Sequence, residues 1–265
     1  MNPQTIEFAS PSASGESSTA PWHTASNGTF QDLIIKPEFA VRRYKIPTGA
    51  TWFRIVPALR PSTKGWMLGV HALSYEGGQH IHAKTIKPGA KSVFDAAYQW
   101  CKNNCPESLF SKANKDGYKL LANPVCLFWI LVEEGGKVVS RLVLASGYDR
   151  SRGGNDGLGH QILKKVQERD EHGSLVANPV DAEAGLQFGI EKTLSQGSRY
   201  PNYTLKIGRV PAPMSELLAK MDPLEIAALA PLEDIVHLPS EEEEWKLLEK
   251  VIDPATVSKI RAALK

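Results

Sequence analysis

Cysteine is scarce: Cys101, Cys105 and Cys126 are the only three in 265 residues, too few and too irregularly spaced for a disulfide framework. They fit a reducing compartment. No apolar run approaches the roughly 20 residues that a bilayer-spanning helix needs, and the first residues lack the basic-then-apolar layout of a secretory signal. The expectation is a cytoplasmic chain with no membrane partner. Signatures of catalysis are also missing. The glycines of 147–159, G-Y-D-R-S-R-G-G-N-D-G-L-G, are not followed by Gly-Lys-Ser/Thr and lack the G-x-G-x-x-G spacing, which argues against a nucleotide cradle. No serine sits in a G-x-S-x-G elbow. Cys126 falls inside an apolar run, where a thiol is inert. His71, His80 and His82 have no H-x-x-x-H or D-x-D partner. A metal-dependent hydrolase or nuclease built on those three histidines is the alternative reading; the main expectation is a protein without catalysis, metal or cofactor.

The charge has an uneven distribution. Residues 1–30 hold no Lys or Arg and carry −2, residues 31–210 carry +9, and residues 211–265 carry −5. A basic body with an acidic end fits a polyanion-binding domain whose tail competes for the basic surface or recruits partners. The length allows one core domain of about 180 residues with appendages. The organisation expected is a disordered N-terminal arm over 1–30, rich in Ser, Thr, Ala and Pro, a core over 31–210, and a helical, acidic region over 211–265.

The most informative stretch is 50–76. Trp52, Arg54 and Val56 alternate with Phe53 and Ile55, the period of a half-buried strand, and a basic turn with Arg60 and Lys64 leads to a second alternating run from Trp66 to His71. Rings beside cations on a sheet face suit a single-stranded nucleic acid, whose bases offer flat π-faces and whose backbone offers regular negative charge. Upstream, F-A-V-R-R-Y-K ends a short strand with Arg42, Arg43, Tyr44 and Lys45. Downstream, Val93–Asn104 has helical spacing and Pro106 would end it. V-C-L-F-W-I-L-V over 125–132 is expected as a central strand buried on both faces, with E-E-G-G as a hairpin turn into 138–145, so Trp129 belongs to the core. The glycine-rich loop carries Tyr148, Arg150 and Arg152, and a helix over 160–169 follows. Strands are expected over 186–194 and 203–210, joined by a basic aromatic turn with Arg199 and Tyr200. The total is six or seven strands with helical insertions, a mainly β, α+β class. From Met214 the pattern is helical, and Ser240 with Glu243 forms a capping box.

Taken in order, F-R-I-V-P at 53–57, W-M-L-G-V-H at 66–71, the apolar strand before E-E-G-G-K, N-P-V-D-A-E-A-G-L-Q-F-G-I-E-K and Y-P-N-Y-T-L-K-I-G-R give a chain that resembles the helix-destabilising single-stranded-DNA-binding proteins of tailed phages, the T4-like group and its relatives in phages and mobile elements. The resemblance spans roughly Phe39–Val210. It implies an OB-fold barrel with insertions, protection of single strands during replication, recombination or repair, possible partner proteins recruited by the acidic end, and a bacterial or phage-infected host cell. By residue type, the strand face with Trp52, Arg54 and Trp66 would share one groove with the turn residues Arg60 and Lys64. Arg42, Arg43 and Tyr44, the loop residues Tyr148, Arg150 and Arg152, and Arg199, Tyr200, Tyr203 and Lys206 would line it too. An RNA-binding module would use the same surface.

Two features depart from that family. Its T4-like members use a basic N-terminal arm for cooperative binding, and this arm has no basic residue. They also hold zinc on one His and three Cys. His71, His80, His82, Cys101 and Cys105 are available here, but the paired C-x-x-C knuckle is missing, and no metal is expected.

Overall fold

The computed structural model describes residues 31–32, 35–59, 65–75, 78–81, 92–106, 120, 123–147, 157–169, 171–173, 181–194 and 201–264; the expected arm over 1–30 lies outside them. In chain order the elements are β1 (Gln31–Asp32), α1 (Pro37–Ala40), β2 (Gly49–Ile55), β3 (Leu68–Tyr75), β4 (Gly78–Ile81), α2 (Val93–Asn104), β5 (Asn123–Glu134), β6 (Lys137–Ser146), α3 (Leu158–Gln167), β7 (Leu186–Thr193), β8 (Asn202–Pro211), α4 (Met214–Leu218), α5 (Pro223–Ala227), α6 (Leu232–Ile235), α7 (Glu241–Leu248) and α8 (Pro254–Ala263). The protein is α+β and built mainly on antiparallel strands. No helix among the described residues is long and apolar enough to cross a membrane.

The chain divides into two units, each assembled from separated segments. The first takes the described residues of 41–69 and 125–235, the second those of 25–40, 70–124 and 236–265. The region 211–265 is therefore split between them.

In the first unit the strand order is β6-β5-β2-β7-β8, and every neighbouring pair is antiparallel. The apolar run Val125–Val132 is buried throughout, as a strand covered on both faces must be. Gly135 and Gly136 turn the β5–β6 hairpin with φ of +59° and +78°, the left-handed pair that a two-residue turn requires. Phe53, Ile55, Phe128, Ile130, Val143, Phe188 and Ile190 point inward and form the core with Leu158 and Ile162 of α3. Phe53 and Phe188 stack across the β2–β7 pair at 6.3 Å between centroids. Helix α3 packs on both β6 and β8. Among the described residues no strand pairing joins β6 to β8, so the sheet is not closed into a barrel.

The outward side of β5 and β6 is also covered. Met214, Met221, Leu232 and Ile235 from the 212–235 segment are buried. The Trp129 indole Nε1 donates to the Ala230 carbonyl at 2.8 Å, and Val138 bridges Met221. Trp129 is thus a core residue, as its strand context implies. One local expectation fails. The strand expected to end at Arg42–Lys45 is replaced by α1 and a single parallel bridge, with Tyr44 N–H donating to Leu142 O and Leu142 N–H to Arg42 O, both at 2.8 Å. The two strands expected in 50–76 form as β2 and β3, and β2 pairs with β5 and β7, which lie on either side of it.

In the second unit β1 pairs parallel and β3 antiparallel with β4. Helices α2, α7 and α8 enclose a separate core of Phe94, Ala97, Cys101, Trp245, Leu248 and Ile260. The capping box of Ser240 and Glu243 forms as expected. The next glutamate does something else: the Glu244 carboxylate is buried and accepts from the Val93 N–H at 2.7 Å and the Ser92 hydroxyl at 3.1 Å. It satisfies a free donor at the start of α2, so the Glu run is partly structural. Burial raises the Glu244 pKa, and these two donors work against the rise.

Candidate nucleic-acid interface

The expected binding residues fall into three groups. Arg60, Lys64, Tyr148, Arg150, Arg152, Arg199 and Tyr200 lie outside the described residues. A second group is built into the first unit. A third small group, Trp52 and Lys206, stands on an open outward face.

Arg54 belongs to the built-in group, which corrects its expected place at the surface. It is completely buried. Its Nε donates to Ala212 O at 3.1 Å, its Nη1 to Ile55 O at 2.8 Å, and its Nη2 to Asp181 O. A β-carbon on Gly185 would collide with the guanidinium and with Asp181 O, so that glycine makes room for the arginine. Burial pushes the Arg54 pKa down to about 10, with the Asp181 charge working against the fall; the group stays charged at neutral pH. Alternation placed Arg54 on the outward face correctly, but that face is covered at this point.

Arg42 is also committed. Its Nη1 lies 2.7 Å from Glu225 Oε2 and 2.9 Å from Ser140 Oγ, and the Ser140 N–H donates to the same Glu225 oxygen at 3.0 Å. Burial works against the Glu225 carboxylate, yet the donors from Arg42 and Ser140 hold its pKa below the ordinary value. Burial lowers the pKa of Arg43 and raises those of the Tyr44 and Tyr203 phenols. Tyr44, Trp66 and Tyr203 pack against the core. Trp66 meets Phe128 edge-on at 6.4 Å and lines a shallow open pocket with Pro57, Trp129 and Pro231.

The open face is the outward side of β2, β7 and β8. Register aligns Trp52 with Gly189 and Gly189 with Lys206, and beside that row Ala50 with Glu191 and Glu191 with Thr204. A β-carbon at Gly189 would sit 2.9 Å from each of three neighbouring carbons of the Trp52 six-membered ring. Equal distances to adjacent ring atoms mean that the ring lies face-on across the glycine. One π-face rests on β7, and with 45% of the residue exposed the other is turned to solvent. Lys206 Nζ pairs with Glu191 Oε2 at 2.8 Å, both side chains about half exposed, and the lysine lowers the Glu191 pKa. Neither Gly189 nor Glu191 was anticipated. A glycine inside an alternating strand pattern does signal the close approach of another group, and that signal was present at Gly189.

Among the described residues no three His, Cys, Asp or Glu side chains converge. His82 lies outside the described residues, and His71 and His80 are placed only as positions on β3 and β4. Cys101 is buried, with its pKa pushed up to about 12 chiefly by that burial and secondarily by Cys105. Burial also pushes up the thiol of Cys126. Comparison with protein-family models and with curated proteins finds no match to this chain.

Proposed function

We propose that the protein binds single-stranded DNA, with the outward face of β2, β7 and β8 as part of the binding surface, and that it acts by binding rather than catalysis. The observation that carries this reading is the Trp52 ring, held flat on Gly189 with its second face open. A base stacks on such a platform only after leaving a duplex, and stacking contributes about 1–3 kcal/mol per base. Lys206 on the neighbouring strand, paired with Glu191, sets a cation beside the platform. The strand order β6-β5-β2-β7-β8, with α3 between β6 and β7 and packed on both β6 and β8, supports a partly open OB-type barrel, a fold that binds oligonucleotides through a strand face and the loops at its rim. In the sequence the basic and aromatic residues Arg60, Lys64, Arg199 and Tyr200 follow β2 and β7. Together with the resemblance of the sequence motifs, this favours service on exposed strands in replication, recombination or repair, with partner proteins engaging the acidic C-terminal end.

The test is fluorescence anisotropy with labelled oligo-dT, a matched duplex and a matched RNA over a range of salt. The expected result is tight binding to the DNA single strand with a salt slope near −0.7 per neutralised phosphate. Trp52→Ala should weaken that binding roughly 5- to 150-fold and leave the thermal transition in place. Equal or better binding to duplex would refute the proposal, and preference for RNA would reassign the ligand.

A further inference from the structure

An acidic side chain on a face that binds nucleic acid needs a reason, because it repels phosphate. Glu191 lies two residues beyond Gly189 on β7, on the same outward face, so it stands about 7 Å along the strand from the residue beneath the Trp52 ring. Its carboxylate is not spent inside the protein. It is half exposed and its partner is the Lys206 ammonium at 2.8 Å, diagonally across from it on β8. The small side chains of Ala50 and Thr204 flank it in the same row and leave its upper side open. The edge of the platform therefore presents a fixed acceptor and a fixed donor side by side.

We infer that this pair reads the edge of the base stacked on Trp52, and that the base it selects is guanine. The inference rests on the single-strand reading above. A carboxylate can only accept hydrogen bonds and an ammonium can only donate them. Guanine offers two neighbouring donors, N1–H and the N2 amino group, for the two oxygens of Glu191, and beside them the O6 acceptor for Lys206. Cytosine and adenine offer the carboxylate only an exocyclic amino group. Thymine offers a single N3–H set between two carbonyl oxygens that face the carboxylate and repel it. The order expected at this one position is guanine first, cytosine and adenine next, thymine last. General strand binding is retained, because the remaining contacts are to backbone and to π-faces.

The experiment uses the full chain and oligo-dT strands of about 12 nucleotides, within the usual site size of one OB fold, carrying a run of dG, dC or dA at the centre. A bidentate side chain to base contact is expected to make the dG strand about tenfold tighter than uniform dT. Glu191→Ala should abolish that ranking while strengthening binding to dT, since a repulsive charge is removed. Tight but equal binding of all four strands would overturn the guanine assignment and leave single-strand binding intact. A guanine preference that persists in Glu191→Ala would remove Glu191 as its source. Failure of every strand to bind would dispose of both readings together.

Discussion

Arg54→Met separates a structural arginine from a nucleic-acid contact. The wild-type guanidinium donates to the carbonyls of Ala212, Ile55 and Asp181 with no exposed surface. Each hydrogen bond from a charged donor contributes about 1.5–3 kcal/mol, and a buried acceptor left without a partner costs about 1–3 kcal/mol. Relief from keeping a charge out of water offsets part of the loss, since methionine fills the space with no charge to desolvate. The net expectation is destabilisation by about 3 kcal/mol, or a thermal midpoint lower by roughly 6–12 °C for a unit of this size. Urea unfolding followed by circular dichroism measures it, and DNA affinity is then read well below the new midpoint, where little change is expected. Gly185 supplies a control. Gly185→Ala drives a methyl group into the guanidinium, so it should be severe in the wild-type background and milder with Arg54→Met, where the flexible thioether yields. That is the non-additivity of residues in contact. An unchanged midpoint with weakened DNA binding in Arg54→Met would refute the argument and return Arg54 to the interface.

Three further outcomes follow from the same geometry. Glu225 has a native pKa below its ordinary 4.5, so its contribution is present above that value and lost as pH falls through the native pKa; Glu225→Gln should flatten this acid limb in a series of denaturation midpoints. Glu244 has the opposite sign. Its native pKa lies above 4.5, the folded state holds the proton more tightly, and stability falls as pH rises through that window, so Glu244→Gln should remove the decline while Glu244→Leu, which strands the Val93 N–H, should cost about 1–3 kcal/mol at neutral pH. Gly189→Ala should lift the Trp52 ring off β7. DNA affinity, read by anisotropy, should then fall as it does in Trp52→Ala, while stability holds because alanine is favoured over glycine in a strand interior by about 0.5–1 kcal/mol.

The elements whose period and punctuation agree were legible in the sequence. The run Val125–Val132 with E-E-G-G gave the β5–β6 hairpin its length and turn. Ser240 with Glu243 marked a helix start where the cap forms, because capping is decided within four residues. What was not legible required partners distant in sequence. Residues 39–45 carry strand-forming side chains but lie against β6 through one bridge only, and β2 takes its neighbours from residues 130–132 and 188–192. Local propensity has no access to either choice.

The site shows the same division more sharply. Period-2 alternation assigns a residue to a face, and it put Trp52, Arg54 and Lys206 on the outward side correctly. It is silent on whether anything covers that side. The cover over Arg54 comes from Asp181 and Ala212, and the cover over Ser140 and Trp129 comes from Glu225 and Ala230, all more than 80 residues away along the chain. Residue type pulls in the wrong direction here, since an arginine next to a tryptophan looks like a ligand contact whether its guanidinium meets phosphate or backbone carbonyls. The distinguishing signal in this chain is glycine. Gly185 has no side chain because Arg54 fills its place, and Gly189 has none because Trp52 lies on it. The first glycine marks a side chain enclosed by the protein, the second a ring supported from below and open above. Only the second arrangement leaves a surface for a ligand, which is why, of the eight candidate residues that are described, the proposed interface keeps Trp52 and Lys206.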